Sequence, residues 1–256
     1  MITLYNESAN LGDSLMLTPL LNHVPCKLRL LKEEWMEYVS QVFNGMCEIE
    51  WFEDKVQMKP LPYAAIPRPW SRRLLVGCGY PDVPSIPIMK LREAEIADGK
   101  RFADQLQQSF GKPLCVIKAV PGRSTERVVP PEIIERIVTQ NPGIQFITFT
   151  FTDRHPKKSM RSPLIKGVFQ LEDFPVRAEA SVYAAIGRYI GADTGCYHLM
   201  LAVGGKADVL CPPSSYSYNH ELTHFGPDCW LNLPVRVRYH DFSKPLDQPA
   251  VTGIAL

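Results

Sequence analysis

The sequence predicts an α/β protein in which two parallel sheets, each covered by helices, face one another across a cleft. Three observations lead there. Short β-prone runs alternate with helical segments from the start of the chain, the alternation restarts near residue 113, and 256 residues with 45% hydrophobic content are enough for two such units, 1–111 and 112–256.

In the first unit, residues 2–5 read as a strand. After a Gly-containing turn, Asp13 precedes a helix bearing Leu15, Met16, Leu20 and Leu21. Residues 26–31 form a strand, 32–43 a helix with Trp35, Val39 and Phe43 on one side, and 47–51 another strand. Pro60, Pro62, Pro67, Pro69, Pro81, Pro84 and Pro87 make residues 58–90 a region of irregular connections rather than helix. Within it the apolar run 74–77 reads as a short buried parallel strand. Residues 93–110 form a polar helix with Ile96, Phe102, Ala103 and Leu106 on its apolar side.

In the second unit, 113–120 is a strand, 130–138 a helix opened by proline, 144–151 a strand and 167–171 a strand. A helix over 178–189, a short strand over 190–192, a helix start over 198–203 and a strand over 207–210 follow. Ligands of such folds sit beyond the carboxyl ends of the strands, which places a site between the two units.

Composition removes several function classes. Twenty-eight Lys and Arg against 27 Asp and Glu give a net charge of +1, which lacks the basic excess of a protein that tracks nucleic acid over its whole surface. No run approaches the roughly 18 apolar residues that span a bilayer, and the opening residues lack a charged segment followed by an apolar one. A soluble, cytoplasmic protein is expected. The seven cysteines include no Cys-x-x-Cys pair, and Cys26, Cys47, Cys115 and Cys211 adjoin apolar strand-like runs, as suits a reducing compartment.

The most specific segment is residues 189–212, YIGADTGCYHLMLAVGGKADVLCP. A strand end, Asp193-Thr194-Gly195 and a helix beginning near Tyr197 would aim backbone N–H groups and a positive helix end into the cleft, an arrangement suited to an anion. Thr194 adds a hydroxyl, and Gly195 admits a phosphate to the main chain. The same Asp193 or Thr194 would also serve as a plain helix cap.

This segment resembles the nucleotide-sugar-binding signature of glycosyltransferase family 9, the heptosyltransferase-like enzymes of GT-B fold. The matching positions are Asp193, Thr194, Gly195 and His198, then Ala202-Val203-Gly204 and a strand ending in Cys211-Pro212, where the family has Gly-Pro. Residues 10–19, NLGDSLMLTP, resemble the family's opening loop. That resemblance makes Asp13 the base that takes the proton of an acceptor hydroxyl, a task for an ionised, close and shielded carboxylate. Asp13 would equally cap the helix that follows it.

A third match covers residues 118–130, KAVPGRSTERVVP, in which Arg127 takes the place of the family's lysine and Val129 that of its tryptophan. The resemblance implies that Arg127 neutralises charge on the departing diphosphate, with Arg123 and Ser124 as further donors. A solvated loop capping the next helix is the plainer alternative. By position, Thr152 and Asp153 would meet the donor nucleoside. Gly12 and the cationic Arg68, Arg72 and Arg73 would meet the acceptor, although a Pro-rich surface loop explains those arginines too.

The function implied is transfer of a sugar, with inversion, from a nucleoside-diphosphate-sugar donor to an acceptor hydroxyl. The acceptor is a lipopolysaccharide core sugar as in relatives, or a hydroxylated nucleobase in DNA. No cofactor is implied, and the absence of an Asp-x-Asp pair points to metal-independent chemistry. The alternative is a nucleotide or nucleotide-sugar binder without transfer. A third reading is an interaction protein stapled by zinc on Cys211, His220, His224 and Cys229, whose C-x8-H-x3-H-x4-C spacing is loose for such a site.

Overall fold

The computed structural model describes residues 2–6, 10–53, 61, 70–81, 86–120, 127–152, 161–212, 236–246 and 250–256. Two parallel sheets organise them. The first has the order β1 (Ile2–Asn6), β2 (Cys26–Leu31), β3 (Glu48–Phe52). The second has six strands: β4 (Leu114–Lys118), β5 (Gln145–Thr150), β6 (Val168–Glu172), β7 (Arg188–Ala192), β8 (Lys206–Cys211) and β9 (Val237–Asp241). Their spatial order, β6-β5-β4-β7-β8-β9, reverses direction between β4 and β7.

Seven helices connect the strands among the described residues: α1 (Leu11–His23), α2 (Glu34–Ser40), α3 (Trp70–Gly77), α4 (Glu93–Phe110), α5 (Pro131–Gln140), α6 (Val176–Ile186) and α7 (Gly195–Ala202). A 3-10 turn, Gln41–Phe43, completes α2. No described helix is long and apolar enough to cross a membrane.

Most expected elements appear within a few residues of their predicted bounds, with three corrections. Residues 74–77 lie in helix α3, not in a strand, so part of the Pro-rich stretch is helical. A four-residue apolar run has no period that separates a strand from a buried helical turn, and here Leu74 and Leu75 are buried under α1. The helix expected over 178–189 stops at Ile186, where Gly187 adopts φ 69° and its N–H caps the Tyr183 carbonyl. Strand β9 was not expected; Val237 and Tyr239 face inward from it between charged neighbours.

Alternation along β4 divides the interior. Leu114 and Val116 join a core shared by both sheets, with Leu4, Leu28, Tyr183 and Tyr197. Cys115 and Ile117 face the opposite layer, with Ile134, Ile137, Ile190 and Ile254. Lys118 continues the first face and is buried there, its Nζ donating to the Phe149 carbonyl at 2.6 Å.

Arg177, in the first turn of α6, ties the two halves together. Its guanidinium grips the Glu95 carboxylate on α4 and donates to the carbonyls of Gln41 at 3.1 Å and Lys90 at 2.8 Å. Replacing Arg177 by alanine strands that carboxylate and both carbonyls. Glu95 is 25% exposed, so the loss falls below that of a fully buried pair, at about 2–3 kcal/mol by chemical denaturation. Arg177 holds the Glu95 carboxyl below its usual value of 4.5. The contribution of this pair is therefore complete above about pH 4.5 and fades as pH falls through the lowered folded value, a slope that the alanine variant loses.

Candidate functional site

In an open parallel sheet the strand order reverses at a crevice, and that crevice is the usual ligand position. Here it lies between the ends of β4 and β7, so the loop after β4 and the Asp193-Thr194-Gly195 turn after β7 flank it. Arg127, from the first loop, donates through Nη1 to Asp193 Oδ2 at 3.1 Å, and Asp193 is 2% exposed while Arg127 is 34% exposed. A buried carboxylate thus holds a half-exposed cation at the crevice.

Thr194 is the N-cap of α7. Its hydroxyl accepts from Cys196 N–H at 3.0 Å, and its carbonyl accepts from Tyr197 N–H at 3.2 Å. Tyr189 steadies the turn by donating to the Ala192 carbonyl at 2.7 Å, with its hydroxyl 3.4 Å from that of Thr194. The cap expected from the sequence is therefore real and consumes two of the first N–H groups of α7. The Gly195 N–H has no partner among the described residues.

The first half delivers a second helix start to the same place. Asn10 is the N-cap position of α1, and its Nδ2 donates to Asp13 Oδ2 at 3.0 Å, directing the carboxylate within the first turn. The two helix ends touch through glycines. A Cβ on Gly195 would lie 2.9 Å from Gly12 N and 2.9 Å from Leu11 Cβ, and a Cβ on Gly12 would lie 3.2 Å from His198 Cδ2. A side chain at Gly195 would collide with the α1 backbone, while one at Gly12 would need the His198 ring to give by a few tenths of an ångström. Asp13 follows directly on Gly12, so the carboxylate-bearing turn and the positive end of α7 are neighbours.

His198 stacks on Tyr197 with ring centroids 3.9 Å apart. Burial, reinforced by the Arg127 charge, pulls its imidazole from 6.5 down to about 3. The ring is thus neutral at physiological pH and meets a ligand as a hydrogen-bonding group, not as a cation. The unfolded chain gains this proton near pH 6.5 and the folded one near 3, so stability is complete above about 6.5 and declines as pH falls between the two values. Imidazole NMR titration checks this, with a midpoint near 3 expected and one near 6.5 contradicting it.

Of the residues singled out in the sequence, Gly12, Asp13, Arg127, Asp193, Thr194, Gly195 and His198 converge here. Thr152 lies at the end of β5, where its N–H and hydroxyl both donate to Asp173, at 3.0 and 2.7 Å. Arg73 is half-buried on α3, which packs against α1; the side chain of Arg72, on the same helix, is outside the described residues. Arg68, Arg123, Ser124 and Asp153 also lie outside them, as do three residues of the loose zinc spacing, His220, His224 and Cys229. Cys211 is buried at the end of β8, and the described residues contain no group of three His, Cys, Asp or Glu side chains suited to a metal ion.

The sequence does not reveal the polar layer beneath the turn, in which Glu179 meets Tyr38 and Cys196. Each reads as an ordinary helix or strand residue, and only the fold unites positions from both halves.

The whole architecture matches solved structures. A glycosyltransferase family 9 protein from Veillonella parvula aligns with TM-score 0.64 at 11% identity, over 94% of this chain and 86% of that one. The fold is GT-B. The Escherichia coli ADP-heptose lipopolysaccharide heptosyltransferase II aligns over 99% of this chain and 96% of its own, with TM-score 0.56 and 13% identity. The E. coli heptosyltransferase WaaC with ADP aligns over 99% and 95%, with TM-score 0.58 and 13% identity. At these identities the likeness is one of fold, and it runs through nearly the entire GT-B framework of family 9 heptosyltransferases. No protein-family model matches the sequence, and no curated protein matches it either.

Proposed function

We propose that the protein is a glycosyltransferase that moves a sugar from a nucleoside-diphosphate donor to an acceptor hydroxyl, with inversion at the anomeric carbon. The observation that carries this reading is the glycine-to-glycine contact of α1 and α7, which sets the Asp13 turn beside the Thr194–Gly195 turn at the crevice of the second sheet. The family 9 framework of the fold, with WaaC solved in the presence of ADP, agrees with it.

In this mechanism the donor diphosphate lies against the Gly195 N–H and the Arg127 guanidinium. The positive end of α7 adds to the charge they present. Asp193 acts through Arg127 rather than on phosphate, since like charges repel. A forked guanidinium can keep one edge on Asp193 and offer the other to a phosphate oxygen. Neutral His198 supplies a hydrogen bond.

Asp13 takes the proton of the acceptor hydroxyl as its oxygen bonds to the anomeric carbon. The bond from that carbon to the diphosphate oxygen breaks, and the electron pair leaves with the nucleoside diphosphate, whose charge Arg127 and α7 stabilise without a metal ion. By the resemblance and by sequence position, Arg123 and Ser124 would be further phosphate donors, Thr152 and Asp153 would contact the nucleoside, and Gly12, Arg68, Arg72 and Arg73 would contact the acceptor. The acceptor is a saccharide of lipopolysaccharide type or a hydroxylated base in DNA.

A thermal-shift screen with nucleoside diphosphates and their sugar conjugates tests the reading. One of them, at a hundred times its Kd, should add about 2.7 kcal/mol to stability. Failure of every nucleoside diphosphate to raise the Tm would reject it.

A further inference from the structure

Beneath the Thr194–Gly195 turn lies a carboxyl that the proposed transfer does not use. Glu179, on α6, is 6% exposed and faces two donors from opposite halves of the molecule. The Tyr38 hydroxyl of α2 approaches Oε2 at 3.5 Å, and the Cys196 thiol of α7 approaches Oε1 at 3.9 Å. Both contacts are long for their type, and although the Tyr183 hydroxyl and the Lys118 charge also favour the ionised carboxyl, burial outweighs all of them. The Tyr183 hydroxyl in the same layer is fully buried and interacts with the Glu179 carboxyl without a close hydrogen bond.

Two features make this layer a link and not a mere filling. The first turn of α6 is fixed to the first half, because Arg177, two residues before Glu179, donates to the Gln41 carbonyl at 3.1 Å. Cys196 is the residue whose N–H the Thr194 cap holds, so its side chain and its main chain report to Glu179 and to the phosphate-facing turn respectively.

We propose that Glu179 is a positioning residue: by bridging Tyr38 of the first half and Cys196 of α7, it sets the Thr194–Gly195 turn according to how the first half is seated. This deepens the reading given above and rests on it for the identity of the ligand. Burial pushes the Glu179 carboxyl upward, toward its neutral form, which glutamine mimics in shape and hydrogen-bonding capacity. Leucine retains the bulk and removes the bridge.

The test is a double-mutant cycle of Tyr38→Phe with Glu179→Leu, with Glu179→Gln as the conservative control, on the intact chain. Two quantities are read: the amide NMR shifts of Gly195 and Cys196 without ligand, and ADP affinity by calorimetry. Tyr38→Phe, which removes one hydroxyl from the other half, should move both amides and weaken ADP about 3- to 10-fold. In the Glu179→Leu background the same change should do neither, and Glu179→Gln should stay near the parent on both counts. Unmoved amides in Tyr38→Phe, or effects that simply add, would overturn the link. If Glu179→Leu fails to fold, the cycle is run with Glu179→Ala, which also removes the bridge: loss of the Tyr38 effect there supports the link and full retention overturns it. Absence of nucleoside diphosphate binding by the unmodified protein would instead reject the proposed function, and the link would then be judged on the amides alone.

Discussion

Asp13→Ala is expected to reduce sugar transfer by about 10²–10⁴-fold, the usual contribution of a positioned general base, with nucleoside diphosphate affinity nearly unchanged. The carboxylate sits in the first turn of α1, directed by Asn10 and joined in sequence to Gly12, which touches the α7 side of the crevice. Alanine is a good helix former, so α1 should persist and the loss should appear in kcat rather than in folding. Nucleoside diphosphate affinity is the control, because Arg127 and Gly195 are left intact. An Asp13→Ala protein as active as its parent removes this residue as the base. A parent that binds nucleotide and turns over no donor supports the binder over the enzyme.

Asp208→Ala should be the most damaging single change to the fold, costing about 3–5 kcal/mol. Asp208 on β8 is fully buried and gathers four donors or partners: His240 Nε2 at 2.7 Å, Val251 N–H at 3.1 Å, Thr252 N–H at 2.9 Å and the Thr252 hydroxyl at 2.5 Å. These tie the edge strand β9 and the segment 250–256 to β8. Removing one carboxylate leaves all four groups without it in a dry interior, and each such loss is costly. Urea denaturation gives the value; a change under about 1 kcal/mol would show that the network is replaceable.

The framework was legible because its signals are local. Alternation of strand and helix, the proline that opens α5 and the Asp193-Thr194-Gly195 turn each depend on neighbours in sequence, and each appears where expected. What could not be read depends on contacts between distant residues. The Arg127–Asp193 pair spans 66 positions, Asp208 and His240 are 32 apart, and Tyr38 and Glu179 are 141 apart. Neither periodicity nor spacing reports such pairings. The error at 74–77 has a different origin, since four apolar residues suit a buried strand and a buried helical turn equally well. The role of Gly12 shows the limit from the other side. The residue stood out as part of a motif, while its reason, contact with His198 and Gly195, lies in the packing of α1 on α7.

The central claim is that a diphosphate binds where α7 begins, with Arg127 beside it and the Asp13 turn opposite. A crystal structure with the nucleoside diphosphate that stabilises the protein most tests this directly. The account predicts phosphate oxygens within hydrogen-bonding distance of the Gly195 N–H and the Arg127 guanidinium, at the crevice between β4 and β7. A diphosphate bound away from that turn, with Gly195 and Arg127 untouched, would contradict it.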